Sequence, residues 1–424
     1  MLHRNPDFLK LWGAQTVSIF GNRVTELALP LTAIGLLGAS AFEVGLLVAA
    51  QYVPFLVIGL PAGAWVDRLP RRPVMILTDV VRCVTLLVIP LSAAAGLLRL
   101  WVLFPVAVVI GVMGVFFDLA AQSYLPTLIG RQNLIEGNTK FEMSRTAGEL
   151  GGPGIGGLLV HWVTAPLAIL VDAVSFAISA LALLLIRRPE PPPPARAADS
   201  KLSAEIGAGL RAVFGNPLLR AVALTGAMGN LFGLSGMVQA VLVFYCVREL
   251  DFSPATLGLV LAVGNAGFFV GSLFNRRLTR RFGVGPVMVG AILVVGVGIA
   301  ILPLARGSVI MAGGTIVVGL LCLGMGIAAF NINQVSLRQS VTRPELLGRM
   351  NATVRFVNWG AVPIGALLGG TLAGLIGLRA VLVVAAAGTL LATVPLLLSP
   401  VRALVEMPQQ PADTPESAGV LVTD

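Results

Sequence analysis

Gly59-Leu60-Pro61-Ala62-Gly63-Ala64-Trp65-Val66-Asp67-Arg68-Leu69-Pro70-Arg71-Arg72-Pro73 is the stretch that decides the fold. It closes one long apolar block and opens the next. Gly63 has no side chain to hold a neighbour away, so it allows a close helix crossing. Asp67 falls where one helix ends and another begins, beside Arg68, Arg71 and Arg72. There it can pair with the arginines and with backbone amides at the start of the next helix. An ordinary positive loop would not need the acid. A second copy, Gly271-Ser-Leu-Phe-Asn275-Arg276, recurs in the other half.

Outward from this loop the chain is apolar. Of its 424 residues 56% are hydrophobic and 12% charged, with a mean hydropathy of +0.91. A soluble domain carries about 25% charged residues, so this chain cannot cover a water-facing surface. A spanning helix needs roughly 20 apolar residues. Such blocks are expected at 9–37, 43–66, 73–96, 101–124, 138–161, 166–186, 218–246, 255–275, 284–304, 309–333, 350–376 and 379–399. The N-terminal block is read as an uncleaved first helix, since no small-residue cleavage site follows a short apolar core.

The net charge of +9 raises nucleic acid as a partner, but the basic residues sit in short loops, which is a topology signal. Only Arg99, Arg248, Arg306 and Arg379 fall in the loops read as external, and Arg23 and Arg82 fall within spans. Both termini are therefore expected in the cytoplasm of a multi-pass inner-membrane protein, with no nucleic-acid partner. Cys83, Cys246 and Cys322 are scattered in apolar blocks. With only His3 and His161 beside them they offer no metal-ligand spacing. No phosphate-binding G-x-x-x-x-G-K-[ST] occurs, so ATP is not the expected energy source. No cofactor, metal or enzymatic activity is expected.

The halves repeat. Asn5-Pro6 matches Asn216-Pro217, Phe117-Asp118 matches Phe330-Asn331, and Asn138 matches Asn351. Gly152, Gly156 and Gly157 match Gly365, Gly369 and Gly370 at that same spacing. The fold class expected is an all-α membrane protein of twelve transmembrane helices in two parallel six-helix repeats. Parallel repeats put a substrate path between the halves, near the midplane. The boundaries are 1–188 for the first bundle, 189–215 for a cytoplasmic linker, 216–400 for the second bundle and 401–424 for a disordered cytoplasmic tail. The linker opens on the prolines between Pro189 and Pro194, which cannot be helical. An amphipathic segment follows, with Leu202, Ile206, Leu210 and Val213 on one face.

The opening loop resembles the cytoplasmic signature loop of the major facilitator superfamily, and the 6+6 layout is similar to that fold along the whole chain. The resemblance implies a charge cluster that holds the cytoplasmic side closed in one state, built here from Gly63, Asp67, Arg68, Arg71 and Arg72. The second copy has Asn275 where an acid would stand. Its cluster should be weaker, or built from Arg276, Arg277, Arg280 and Arg281 with other partners. In the fifth span, Gly148, Gly152, Pro153, Gly156 and Gly157 resemble the antiporter signature G-x-x-x-G-P-x-x-G-G of drug exporters, although Thr139 replaces a more distant upstream glycine. The Asn-Pro entry, Thr78-Asp79 followed by Arg82, and Phe117-Asp118 are similar to the macrolide-efflux and enterobactin-exporter group.

Ionisable groups at membrane depth are costly and face the interior. Gln15, Ser18, Asn22 and Glu26 share one face of the first span, and Arg23 can pair with Glu26. Asp118 and Gln122 share a face of the fourth, and Glu142, Arg145 and Glu149 form a stripe on the fifth. Asp79 and Arg82 read as a local pair, and Asp172 lies in the outer part of the sixth. The second half offers Asn230, Asn331, Gln334, Arg355 and Asn358 as polar lining. Proton coupling is thus expected in the N-terminal half, while the C-terminal half mainly shapes the substrate cavity; the proton or substrate candidates are Arg23, Glu26, Asn22, Asp118, Gln122, Glu149, Asn230, Asn331, Gln334 and Asn358. The resemblance implies a proton-coupled antiporter that effluxes a small amphipathic molecule by alternating access, and a monomer is expected. An importer, uniporter or lipid flippase on the same fold is the alternative.

Overall fold

The computed structural model describes residues 2, 5–66, 68–190, 202–343 and 346–408. Among these, every regular element is helical. The helices are α1 (Pro6–Leu31), α2 (Ala41–Val66), α3 (Arg71–Ala94), α4 (Leu100–Ile129), α5 (Leu134–Trp162), α6 (Ala165–Leu184), α7 (Leu202–Gly215), α8 (Pro217–Phe232), α9 (Met237–Arg248), α10 (Pro254–Phe282), α11 (Val284–Ile301), α12 (Val309–Val341), α13 (Leu347–Ile376), α14 (Leu378–Leu391) and α15 (Val394–Leu397). Among the described residues, ten stretches are long and apolar enough to cross a membrane. The protein is therefore a multi-pass membrane protein. The expected spans outside those ten correspond to α1 and α5. They have 26 and 29 residues but carry Arg23 and Glu26, and Glu142, Arg145 and Glu149. Both are packed within the bundle, α1 against α5 and α6.

The repeated Asn-Pro pair has a local cause. Asn5 Oδ1 accepts the amides of Asp7 and Phe8, both at 3.1 Å. Asn216 Oδ1 accepts those of Leu218 and Leu219 at 2.9 and 3.4 Å. Each asparagine satisfies free donors of a first turn, and the following proline takes the position that needs no N–H. The run expected at 218–246 is not one helix. It breaks between α8 and α9 at Gly233–Gly236, where a side chain on either glycine would collide with carbonyls of the preceding turns.

The starts of α1, α3 and α5 and the end of α6 meet at one end of the bundle, called here the linker end. Leu2 N donates to Glu136, and Asp7 accepts the amides of Arg187 and Arg188. The segment 191–201, which holds most of the expected proline stretch, lies outside the described residues, as do the side chains of Leu202 and Ile206. Along α7, Val213 is fully buried but Leu210 is 40% exposed, so only part of the expected apolar face is packed. Past Pro400 the chain stays packed. Val401 is buried, and the carbonyls of Leu404 and Val405 accept the amides of Gly285 and Val284. Residues 409–424, the remainder of the expected tail, lie outside the described residues.

At the far end the two halves close on glycine. A Cβ on Gly258 would lie 2.8 Å from Gly157 Cα and 2.5 Å from the carbonyl oxygen of Pro153. A Cβ on Gly45 would lie 3.0 Å from Gly370 Cα and 2.6 Å from the carbonyl oxygen of Ala366. Gly45 and Gly258 stand at the spacing that separates Gly157 from Gly370. The α5–α10 and α2–α13 contacts are thus equivalents under the internal repeat. Without side chains the backbones approach closely, which is how membrane helices associate. Arg248 Nη2 adds a bond to the Ile34 carbonyl at 3.0 Å.

Candidate functional site

The closed far end leaves a cavity of about 840 Å³ between the halves. It runs toward the linker end past Arg145, Arg338 and Asn351. Both carboxylates that line it, Glu26 and Glu149, lie on its N-terminal wall. On α1, Arg23 Nη1 bonds Glu26 Oε2 at 2.6 Å, and Nη2 reaches Glu149 Oε1 on α5 at 3.3 Å. Arg145 Nη1 bonds the same Glu149 oxygen at 3.1 Å and also pairs with Glu142. Glu149 therefore sits between two guanidiniums, and one helix is tied to the next through it.

The glycines of α5 make this possible. A side chain on Gly148 would strike Ile19, one on Gly152 would strike Arg23, and one on Gly156 would lie 3.3 Å from Val24 Cα. The three successive small residues form a groove that α1 fills. The repeat equivalents behave alike, with Gly365 against Leu231 and Gly369 against Met237. Pro153 adds something else. It has no N–H, so the Glu149 carbonyl four residues earlier loses its helical partner. Asn265 of α10 supplies one, its Nδ2 donating to that oxygen at 2.7 Å. The antiporter-like stretch is thus a packing surface for α1, a contact with α10, and an inter-half hydrogen bond.

The C-terminal wall is mostly uncharged. Asn230, Asn331, Gln334, Asn358, Asn265 and Gln239 line it, and Gln334 Nε2 donates to Asn331 Oδ1 at 2.6 Å. Tyr52 and Phe55 of α2 stack on Trp359 of α13, with centroids 5.7 and 5.5 Å apart. Arg355 bridges the halves to Asp118 at 3.1 Å. Asp118 is thus a partner of a cavity residue, and Gln122 on the same helix lines the cavity. Asn22 does not line it. The α1 wall is formed instead by Arg23, Glu26, Leu27, Leu29 and Pro30.

Among the described residues, nothing lies within 4 Å of a Cβ on Gly63. The close crossing of α2 falls higher, where a side chain on Gly111 of α4 would strike the Gln51 carbonyl. Near Gly63 the rings of Trp65 and Phe116 stack, with centroids 6.2 Å apart. Asp67 lies outside the described residues. The amides at the start of α3 are taken by Glu190, whose carboxylate accepts Arg71 N at 2.7 Å and Arg72 N at 3.1 Å. Arg72 also donates to the carbonyls of Leu183 and Leu184, and Arg68 is exposed. In the second copy, Asn275 is buried and accepts from Asn333 Nδ2 at 2.7 Å.

Sequence reasoning missed Asn265, Tyr52, Trp359, Arg338 and Glu190. A lone amide within an apolar span could have singled out Asn265. Glu190 has no such signal, since its partners are more than a hundred residues away.

The profile of a family described as transmembrane secretion effectors matches residues 3–422. The multidrug efflux pump Tap of Mycolicibacterium fortuitum is 28% identical over 388 residues, covering 89% of this chain and 91% of that protein. The enterobactin exporter EntS of Salmonella choleraesuis strain SC-B67 is 29% identical over 385 residues, covering 87% and 86%. Among solved structures, a bacterial homologue of the lysosomal transporter Spinster, inward-facing and occupied, aligns with a TM-score of 0.73 at 16% identity, over 97% of this chain and 100% of that one. A bacterial homologue of the iron transporter ferroportin, inward-facing, aligns with a TM-score of 0.71 at 17% identity, over 92% and 98%. The latter two likenesses concern the fold.

Proposed function

We infer, from the premise that this chain belongs to the transmembrane secretion effector family of the major facilitator superfamily, that it exports a small amphipathic molecule in exchange for protons. It is an efflux transporter of the facilitator type. The proton coupling and the cargo class are our reading. So are a twelve-span arrangement that includes α1 and α5, a division into halves at residues 188 and 216, a monomeric state, and an inner-membrane location with both termini inside.

The observation that carries the coupling is Arg23 shared between Glu26 and Glu149. Two carboxylates on different helices compete for one guanidinium at the cavity wall. Protonating either weakens its pairing and lets Arg23 move to the other. Glu149 is the residue whose carbonyl meets Asn265, so the titrating side chain sits on the backbone element that touches the other half. Loss or gain of a proton can then bias which way the halves lean, and a gradient can drive a cycle. The amide-rich wall and the Tyr52–Trp359–Phe55 stack supply the polar and aromatic contacts of an amphipathic cargo.

The test uses purified protein in sealed liposomes with an imposed proton gradient. Internal pH is followed while macrolides, other amphipathic drugs and catecholate siderophores are added. Compound-triggered proton flux, reduced in Glu26→Gln and Glu149→Gln, supports the reading. Gradient-independent exchange that neither substitution alters rejects proton coupling in favour of a uniporter or flippase.

A further inference from the structure

On the side of α1 away from the cavity, α3 and α6 bring two acids and one base together. Asp79, Asp172 and Arg82 are 0%, 1% and 6% exposed. Ser179 Oγ donates to Asp79 Oδ2 at 2.6 Å, and Arg82 Nη1 lies 3.8 Å from Asp79 Oδ1. Ser175 Oγ lies 3.0 Å from Asp172 Oδ1 and donates to it. The Arg82 guanidinium sits 5.0 Å from the ring centroids of both Phe117 and Phe176. Gly21 provides the room, since a side chain there would collide with Ser175 and Asp172. Asp79 Oδ1 and Arg82 Nε are buried with no hydrogen-bond partner.

Fully ionised, this trio would hold one negative charge in excess where an uncompensated charge is costly. Among the described residues, no outside cation corrects it. The charged groups that face it from neighbouring helices are Glu26 of α1, acting on Asp172, and Asp118 of α4, acting on Arg82. Both are acids, and each already has its own arginine, Arg23 and Arg355. Charge balance at this depth requires one proton.

We propose that Asp79, Arg82 and Asp172 form a proton-binding site separate from the cavity, holding one proton on one of the two carboxyl groups. The proton is exchanged with solvent and no other bond changes. Gly21 of α1 packs against Asp172 and Ser175, and Glu26 on the same helix lines the cavity, so α1 lies between the buried site and the cavity. The part this plays in transport rests on the proton-driven reading above; the occupancy itself does not.

Infrared spectroscopy of the full-length protein in lipid nanodiscs at neutral pH reads a protonated buried carboxyl through its carbonyl stretch. The expected result is a band in the wild type that Glu26→Gln leaves in place. Asp79→Asn and Asp172→Asn must each abolish it, because either leaves one carboxylate facing one guanidinium. No band in the wild type, or a band that survives either substitution, overturns the site. Asparagine nearly matches aspartate in shape, and thermal unfolding identifies a variant that fails to fold, whereupon the other carries the test. Proton-driven transport in the same samples separates the two readings. A band without proton-driven flux refutes the coupling alone, and flux without a band refutes the buried site alone.

Discussion

Asn265 of α10 donates a 2.7 Å hydrogen bond to the carbonyl oxygen of Glu149 on α5, the oxygen that Pro153 deprives of its helical partner. The proline of the antiporter-like stretch thus acts through an acceptor it frees, and the acceptor is claimed by the opposite half. At the repeat-related position the residue is Ala366, so the α2–α13 contact has the glycines without this bond.

Breaking the bond should favour opening of the far end. A neutral hydrogen bond contributes about 0.5–1.5 kcal/mol, or about a two- to tenfold shift in a conformational equilibrium. Asn265→Ala is expected to shift the populations by that amount toward far-end-open, and Pro153→Ala to do the same by restoring the internal partner. Spin labels at Val163 and Asp251, read by pulsed dipolar spectroscopy, report the separation. Unchanged distance distributions in both variants would remove the latch role.

Glycines of the two sequence signatures should respond in opposite senses. Gly157→Ala places a methyl group against the backbone of Gly258, which cannot rotate away. Overpacking of this kind costs about 1–3 kcal/mol, and the cost falls on the closed far end. Gly63→Ala meets no described neighbour within 4 Å and should be neutral or stabilising by about 0.5–1 kcal/mol, since alanine favours a helix over glycine. Thermal unfolding in detergent, compared for the two variants, decides. Equal destabilisation would mean that Gly63 has a close neighbour after all.

The Asp118–Arg355 pair joins the halves but is partly exposed, with side chains 49% and 31% accessible. A double-mutant cycle with Asp118→Asn and Arg355→Gln should give a coupling of about 0.2–1 kcal/mol. The charge reversal Asp118→Arg with Arg355→Asp should recover transport that either change alone impairs. If the double reversal performs no better than the singles, the pair does not link the halves functionally.

Trp359 stacks on Tyr52 and Phe55, yet it is 37% exposed. Aromatic pairs contribute about 0.5–1.5 kcal/mol beyond area burial. Trp359→Leu should weaken binding of aromatic cargo by up to about tenfold while leaving aliphatic compounds nearly unaffected. Equilibrium binding to a matched pair of compounds tests this, and equal weakening of both would assign Trp359 to packing alone.

Much of this was legible without coordinates, for identifiable reasons. Apolar block length reports bilayer thickness, so spans could be placed from composition. The Asn-Pro pairs and the glycines at 152, 156, 157, 365, 369 and 370 announced a repeat because capping and close packing are local demands that only a few residue types meet. Arg23 and Glu26 lie three residues apart on one helix, and that spacing alone predicts their pairing.

Tertiary structure decided what those residues touch. Helix periodicity put Asn22 and Glu26 on a common face, but only the packing of α5 and α6 around α1 determined that Glu26 looks into the cavity and Asn22 does not. The partner of the amides at the start of α3 is Glu190, and the hydroxyl that bonds Asp79 belongs to Ser179 of α6. Neither could be read from the chain, because a contact between distant segments leaves no periodic trace. Sequence by itself determined which helices form and that two similar halves meet. Their close approach decided which buried charges must share a counterion, since membrane-depth electrostatics depends on the distance between helices and not on their order along the chain.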